Sequence, residues 1–168
     1  AKATPSPEQA YRYARGLQIA KKLPEARSAY QKLIKTYPQA PETGLGLLRL
    51  AQISPNRDAI AYLDRIVKQF PDRAPEALEA KAKLLGSTNA QAASQTWQTL
   101  LNKYPKSDEA ADYRWLMAQR AAKSGDYAKA WQWAQPIAVN NSDSQIAPKA
   151  AFWVGKWAQK LGKNQEAK

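Results

Sequence analysis

The sequence predicts an all-α fold of stacked helix pairs, on three observations. A helix-sized unit recurs every 33 to 37 residues, its apolar positions fall at helical spacing, and a proline or glycine closes it. Three segments end alike: Lys35-Thr36-Tyr37-Pro38, Lys68-Gln69-Phe70-Pro71 and Asn102-Lys103-Tyr104-Pro105. Counting back from each proline, the same places stay apolar. Eight before are Tyr30, Leu63 and Trp97; five before are Leu33, Ile66 and Leu100; four before are Ile34, Val67 and Leu101; one before are Tyr37, Phe70 and Tyr104. These offsets, i, i+3, i+4 and i+7, form one face of an α-helix. Twelve before is always alanine: Ala26, Ala59 and Ala93. Ala130 and Ala167 continue that series behind Gly125 and Gly162. A small residue there lets a second helix approach closely.

The elements follow in order. First helices are predicted over 7–21, 41–53, 74–86, 107–123 and 145–161, and second helices over 24–37, 55–70, 89–104 and 126–139. Ser6-Pro7-Glu8-Gln9 reads as a capping box with proline at the first helical position. Ser54-Pro55 repeats the Ser-Pro start. Ser107-Asp108-Glu109 places acids in a first turn, where the helix dipole favours them. Gly125 and Gly162 fit the left-handed residue that closes a helix. Pro136 is expected to kink or shorten its helix. The repeats run roughly 7–38, 41–71, 74–105, 107–140 and 145–168, within one helical-repeat domain over 1–168. The fifth second helix has only begun at Lys168, so the reading predicts a piece of a longer protein.

Composition narrows the chemistry. There are no cysteines and no histidines. That excludes disulfides, thiol nucleophiles, imidazole-dependent triads and most zinc sites. No apolar run approaches the roughly 20 residues that span a bilayer. The net charge is +12, from 26 Lys and Arg against 14 Asp and Glu. Such a balance fits an anionic partner. It fits a solvated cationic surface equally well, because the basic residues are spread along the chain. Glu76 and Glu79 share one helix face and Asp108 and Glu109 share one turn. Neither pair is held across a cleft as acid–base work on a glycoside requires. The 7 glycines are scattered, and Gly44 and Gly46 fall inside a predicted helix rather than a phosphate loop. No catalytic residue, metal ligand or cofactor site is predicted. All six tryptophans, Trp97, Trp115, Trp131, Trp133, Trp153 and Trp157, lie in the second half. Trp97 and Trp131 are expected in the core, and Trp115 and Trp157 are expected to be less constrained.

The spacing of alanine, large apolar residue, apolar residue and proline resembles the second half of the tetratricopeptide repeat. The first-helix half of that motif is best kept at Met117-Ala118 and Val154-Gly155. The resemblance implies a right-handed α-solenoid whose first helices line a concave groove. By repeat register the groove positions are Tyr11 and Arg15 in repeat one, Trp115, Gln119 and Lys123 in repeat four, and Lys149, Phe152, Lys156 and Lys160 in repeat five. Aromatic and lysine side chains on one helical face suit an anionic, ring-containing polymer or an acidic peptide.

Two stretches narrow the resemblance: Ala111-Asp112-Tyr113-Arg114-Trp115-Leu116-Met117-Ala118 and Ala147-Pro148-Lys149-Ala150-Ala151-Phe152-Trp153-Val154-Gly155-Lys156-Trp157-Ala158. Each leads through a basic end and a glycine into an alanine helix. This plan resembles the superhelical region of periplasmic soluble lytic transglycosylases and, more loosely, periplasmic tetratricopeptide proteins of the cell envelope. It implies a bacterial periplasmic protein, its signal peptide removed, that positions peptidoglycan for a catalytic domain. That family's catalytic Glu is followed by Ser. Here Glu8, Glu25, Glu42, Glu76, Glu79, Glu109 and Glu166 are followed by Gln, Ala or Thr, so no catalytic residue carries over. The alternative is an adaptor that binds a protein or peptide in the groove. Nucleic acid is disfavoured, because matched groove positions carry no regularly repeated polar residues.

Overall fold

The computed structural model describes residues 3–162. Among them are nine α-helices and no strand: α1 (Pro7–Ile19), α2 (Leu23–Thr36), α3 (Pro41–Gln52), α4 (Asn56–Gln69), α5 (Ala74–Leu85), α6 (Ala90–Lys103), α7 (Asp108–Lys123), α8 (Tyr127–Asn140) and α9 (Ala147–Lys160). A 3-10 turn, Pro71–Arg73, leads into α5. Every helix lies within about two residues of its sequence expectation. The chain is an all-α protein of helix pairs, in the repeat class of the α-solenoids. Ala26, Ala59, Ala93 and Ala130 are all buried, as the repeat register requires. Ala167 lies outside the described residues. The helices gather into two compact units, Ala1–Thr96 and Trp97–Lys168.

In the first unit, α1 packs on α2, α3 on α4, and α1 also meets α3, so neighbouring first helices lie side by side. Tyr30, Leu47, Leu50, Leu63 and Ile66 fill the core between them. The Ser6 capping box forms: Ser6 Oγ accepts from the Gln9 amide at 3.2 Å, and Gln9 Oε1 accepts from the Ser6 amide at 2.9 Å. Ser54 does otherwise. Pro55 occupies the cap of α4, and the Ser54 hydroxyl donates backwards to the Leu50 carbonyl at 2.6 Å. A hydroxyl beside a free helix C-terminus finds that orphan carbonyl before any downstream amide. Lys21 closes α1 in the left-handed region (φ 59°), and the amide of Lys22 donates to Leu17 O. Gly125 (φ 83°) closes α7 with the same pattern, Asp126 donating to Ala121 O.

In the second unit, α8 packs on both α7 and α9. Ser107 Oγ caps α7 by accepting from the Ala110 amide at 3.1 Å. The loop before α7 is tied to the end of α8 by two buried side chains. Arg114 donates to Pro105 O and to Asn141 Oδ1, both at 2.9 Å. Asn141 Nδ2 donates to Pro105 O at 2.9 Å and to Ser107 O at 3.1 Å. Burial lowers the Arg114 pKa from its ordinary value, because desolvation disfavours the charged form. Of the two outcomes expected at Pro136, a kink or a shorter helix, shortening does not occur: α8 continues to Asn140. Ile137, directly after the proline, is fully buried, and Asn141 anchors the end. Tertiary contacts on both sides thus hold the last turn despite one missing backbone hydrogen bond.

Close approach in the first unit rests on two helical glycines. A Cβ at Gly44 would lie 2.9 Å from Phe70 Cγ, and one at Gly46 would lie 3.0 Å from Leu33 Cδ2. Gly16, in α1, meets nothing within 4 Å. Gly44→Ala should therefore cost about 1–3 kcal/mol through overpacking. Gly16→Ala should stabilise by about 0.5–1 kcal/mol through helix propensity. Urea unfolding followed by far-ultraviolet circular dichroism measures both, and opposite shifts in midpoint are expected from the same substitution.

Candidate functional site

The second unit carries a groove of about 440 Å3 lined by Trp115, Gln119, Ala122, Tyr127, Lys149, Trp153, Trp157 and Lys160. Its walls are two first helices. Residues 115, 119 and 122 recur at helical spacing on α7, and 149, 153, 157 and 160 do so on α9. Tyr127 opens α8 at the groove end.

The floor is aromatic. Trp115 and Trp157 stack with centroids 6.0 Å apart and planes 27° apart, and Trp153 lies 5.9 Å from Trp157. Trp115 and Trp157 are 7 % and 3 % exposed. This corrects the expectation that they are the less constrained pair. They bury each other across α7 and α9, a contact between residues 42 positions apart that no local pattern announces. Trp153, 40 % exposed, presents the open ring instead. Trp97 and Trp131, expected in the core, are half-buried. Trp97 stacks on Tyr113 at 4.1 Å with planes 8° apart, and Tyr113 meets Trp133 edge-on at 5.7 Å. Trp131 packs against the cluster of Trp115, Ala118 and Ala130.

The rim is cationic. Lys149 Nζ lies 5.9 Å from the Trp115 ring centroid and Lys160 Nζ lies 4.3 Å from that of Tyr127. Such contacts are worth about 0.5–1 kcal/mol at exposed sites. Among the described residues, none that lines the groove is acidic.

Of the residues expected by register, the structure thus brings Trp115, Gln119, Lys149 and Lys160 into one groove. Lys123, in the exposed last turn of α7, does not line it. Phe152 and Lys156 pair beside it, with Nζ 5.5 Å from the ring centroid and Phe152 58 % exposed. Tyr11 and Arg15 belong to α1 in the first unit. There Tyr11 packs at 6.2 Å against the buried Tyr30, whose hydroxyl donates to Gln18 Oε1 at 2.7 Å. Sequence reasoning missed Trp153, Trp157, Ala122 and Tyr127. The i, i+4, i+8 spacing of Lys149, Trp153 and Trp157 was the available signal. A larger cavity in the first unit, about 720 Å3, lies between α1, α2 and residues 3–5. Its lining has one charged side chain, Lys32, and Tyr37 donates to Pro5 O across it.

Residues 9–40 match the family model of the tetratricopeptide repeat. No curated protein matches the sequence. The chain is similar in structure to MamA, with a TM-score of 0.53 and 20 % identity over 92 % of this chain and 87 % of that one. It is also similar to a tetratricopeptide repeat protein from Parabacteroides merdae, with a TM-score of 0.55 and 18 % identity over 96 % of this chain and 62 % of that one. At such identities the likeness concerns the fold. The chain is a tetratricopeptide-like helical-repeat protein.

Two expectations follow from these placements. Trp115→Ala should cost about 3–5 kcal/mol, as for a core tryptophan, whereas Trp153→Ala should cost about 1 kcal/mol. Chemical denaturation compares them, and equal losses would contradict the division into floor and open ring. The second concerns Tyr30, whose pKa is pushed up to about 12, first by desolvation and then by Tyr11, against the opposing Arg15 and Arg49. Below pH 10 the phenol is neutral in both folded and unfolded chains, and stability is unaffected by it. Between pH 10 and 12 the unfolded chain releases the proton first, and the fold should lose up to about 2.7 kcal/mol, at 1.36 kcal/mol per unit. Tyr30→Phe should lack this part of the alkaline loss when unfolding is followed as a function of pH.

Proposed function

We propose that this protein is a non-catalytic interaction scaffold that binds a protein or peptide segment in the groove between α7 and α9. One observation carries the reading: an open tryptophan, Trp153, lies against the buried Trp157, itself stacked on Trp115, in a groove that Lys149 and Lys160 also line. Aromatic rings in desolvated pockets with cationic rims are what binding hot spots are made of. The repeat fold supports it, since two first helices of one unit, α7 and α9, both line this groove.

A second reading is favoured by the same ring. An exposed indole flanked by lysines also suits stacking on the sugars of an anionic polymer. On this reading the chain is the periplasmic helical scaffold of a lytic transglycosylase, holding peptidoglycan for a catalytic domain.

The two readings separate by experiment. Peptides selected from a random display library on the full chain should bind Trp153→Ala at least tenfold more weakly in calorimetry. Equal affinity would remove the groove from the peptide reading. Co-sedimentation with purified peptidoglycan sacculi, lost steeply with added salt and with Trp153→Ala, would favour the wall polymer instead.

A further inference from the structure

We propose that one exposed stripe of α9 is a peripheral docking surface for an anionic phospholipid bilayer. Phe152 and Trp153 enter the headgroup region, and Lys149, Lys156 and Lys160 meet the lipid phosphates. The inference goes beyond the peptide reading, because Phe152 and Lys156 lie outside the groove.

The stripe follows from helix geometry. At 3.6 residues per turn, Lys149, Phe152, Trp153, Lys156 and Lys160 fall within an arc of about 100°. All five are exposed. The residues that α9 buries, Ala150, Trp157 and Ala158, fall outside that arc. The stripe runs about 16.5 Å from Lys149 to Lys160, at 1.5 Å per residue. Its centre is aromatic. The rings of Phe152 and Trp153 meet edge-on with centroids 5.5 Å apart, and Lys156 Nζ lies 5.5 Å from the Phe152 centroid.

Two observations select a membrane surface as the occupant. The first is charge. Between Asp143 and Glu166 the sequence has four lysines and no acidic residue, and anionic headgroups attract such a segment. The second is the position of Phe152. It stands beside the groove rather than in it, so it offers a ring to insert instead of a hollow to fill. Aromatic rings settle at the boundary between headgroups and acyl chains. A lysine stem can lie along apolar surface there while its ammonium group reaches a phosphate. No helix among the described residues is long and apolar enough to cross a membrane, so α9 would lie on the surface.

The test is co-sedimentation of the full chain with vesicles of phosphatidylcholine, alone or with about 30 % phosphatidylserine. The anionic vesicles should be bound at least tenfold more tightly, and about 0.5 M NaCl should remove most of the difference. Phe152→Ala and Lys156→Gln should each weaken binding about fivefold. Val139→Ala, at an exposed apolar position of α8, and Lys106→Gln should change nothing. Phe152 and Lys156 are exposed, so unchanged circular dichroism is expected and checked. Brominated acyl chains should quench tryptophan fluorescence, and Trp153→Phe should lose most of that quenching. No binding to anionic vesicles, or binding that Phe152→Ala and Lys156→Gln leave unchanged, overturns the proposal. A Phe152-dependent dimer, or Phe152-dependent binding to glycan strands, without vesicle binding overturns it as well. Groove peptides should bind Phe152→Ala and Lys156→Gln as they bind the unsubstituted chain. Failure on vesicles therefore leaves the peptide reading standing, and failure of Trp153-dependent peptide binding leaves the lipid surface standing.

Discussion

The structure depends on close approach between helices at small side chains. Ala26, Ala59, Ala93 and Ala130 each bring a methyl group to a buried contact. Seven positions later, two turns along the same face, stand Leu33, Ile66, Leu100 and Ile137, all 1 % exposed or less. The small residue sets the interhelical distance and the large one fills the space beyond it. Protein interiors are close-packed, so neither can change size freely. Gly44 and Gly46 extend the same constraint to α3, where even a methyl group would crowd Phe70 or Leu33.

Because the pair contacts are made by the second helices and by one face of the first, another face of each first helix is left for other work. In α7 and α9 that face is aromatic and basic. Trp115 and Trp157 cover each other, and their burial leaves Trp153 standing open with lysines at either end. The cation–π contacts are weak individually. Their consequence is positional: one charge rests over the floor at Trp115 and the other over Tyr127 at the groove end.

The polar network of Arg114, Asn141 and Pro105 shows a different economy. Its two side chains share one carbonyl and join residues 36 positions apart in sequence. A buried guanidinium is costly unless its donors are met, and here the network spends them on tying a loop to a helix end. The same anchor accounts for the helical turn that outlasts Pro136.

Helix positions, repeat length and the buried alanines were legible in the sequence, because periodicity of 3.6 and the conformational rules of proline, glycine and serine act within a few residues. The caps at Ser6 and Ser107 and the turn at Gly125 belong to that local grammar, and four of the nine expected groove residues followed from it by register. What tertiary structure alone decided concerns pairs distant along the chain. Trp115 became floor rather than platform because Trp157 lies on it. Trp153 became the open ring for the same reason, and α8 ran through its proline because Asn141 and Ile137 were held elsewhere. A helical pattern tells which residues share a face. Which face meets a partner, and how far it is desolvated, depends on neighbours that only the folded chain brings together.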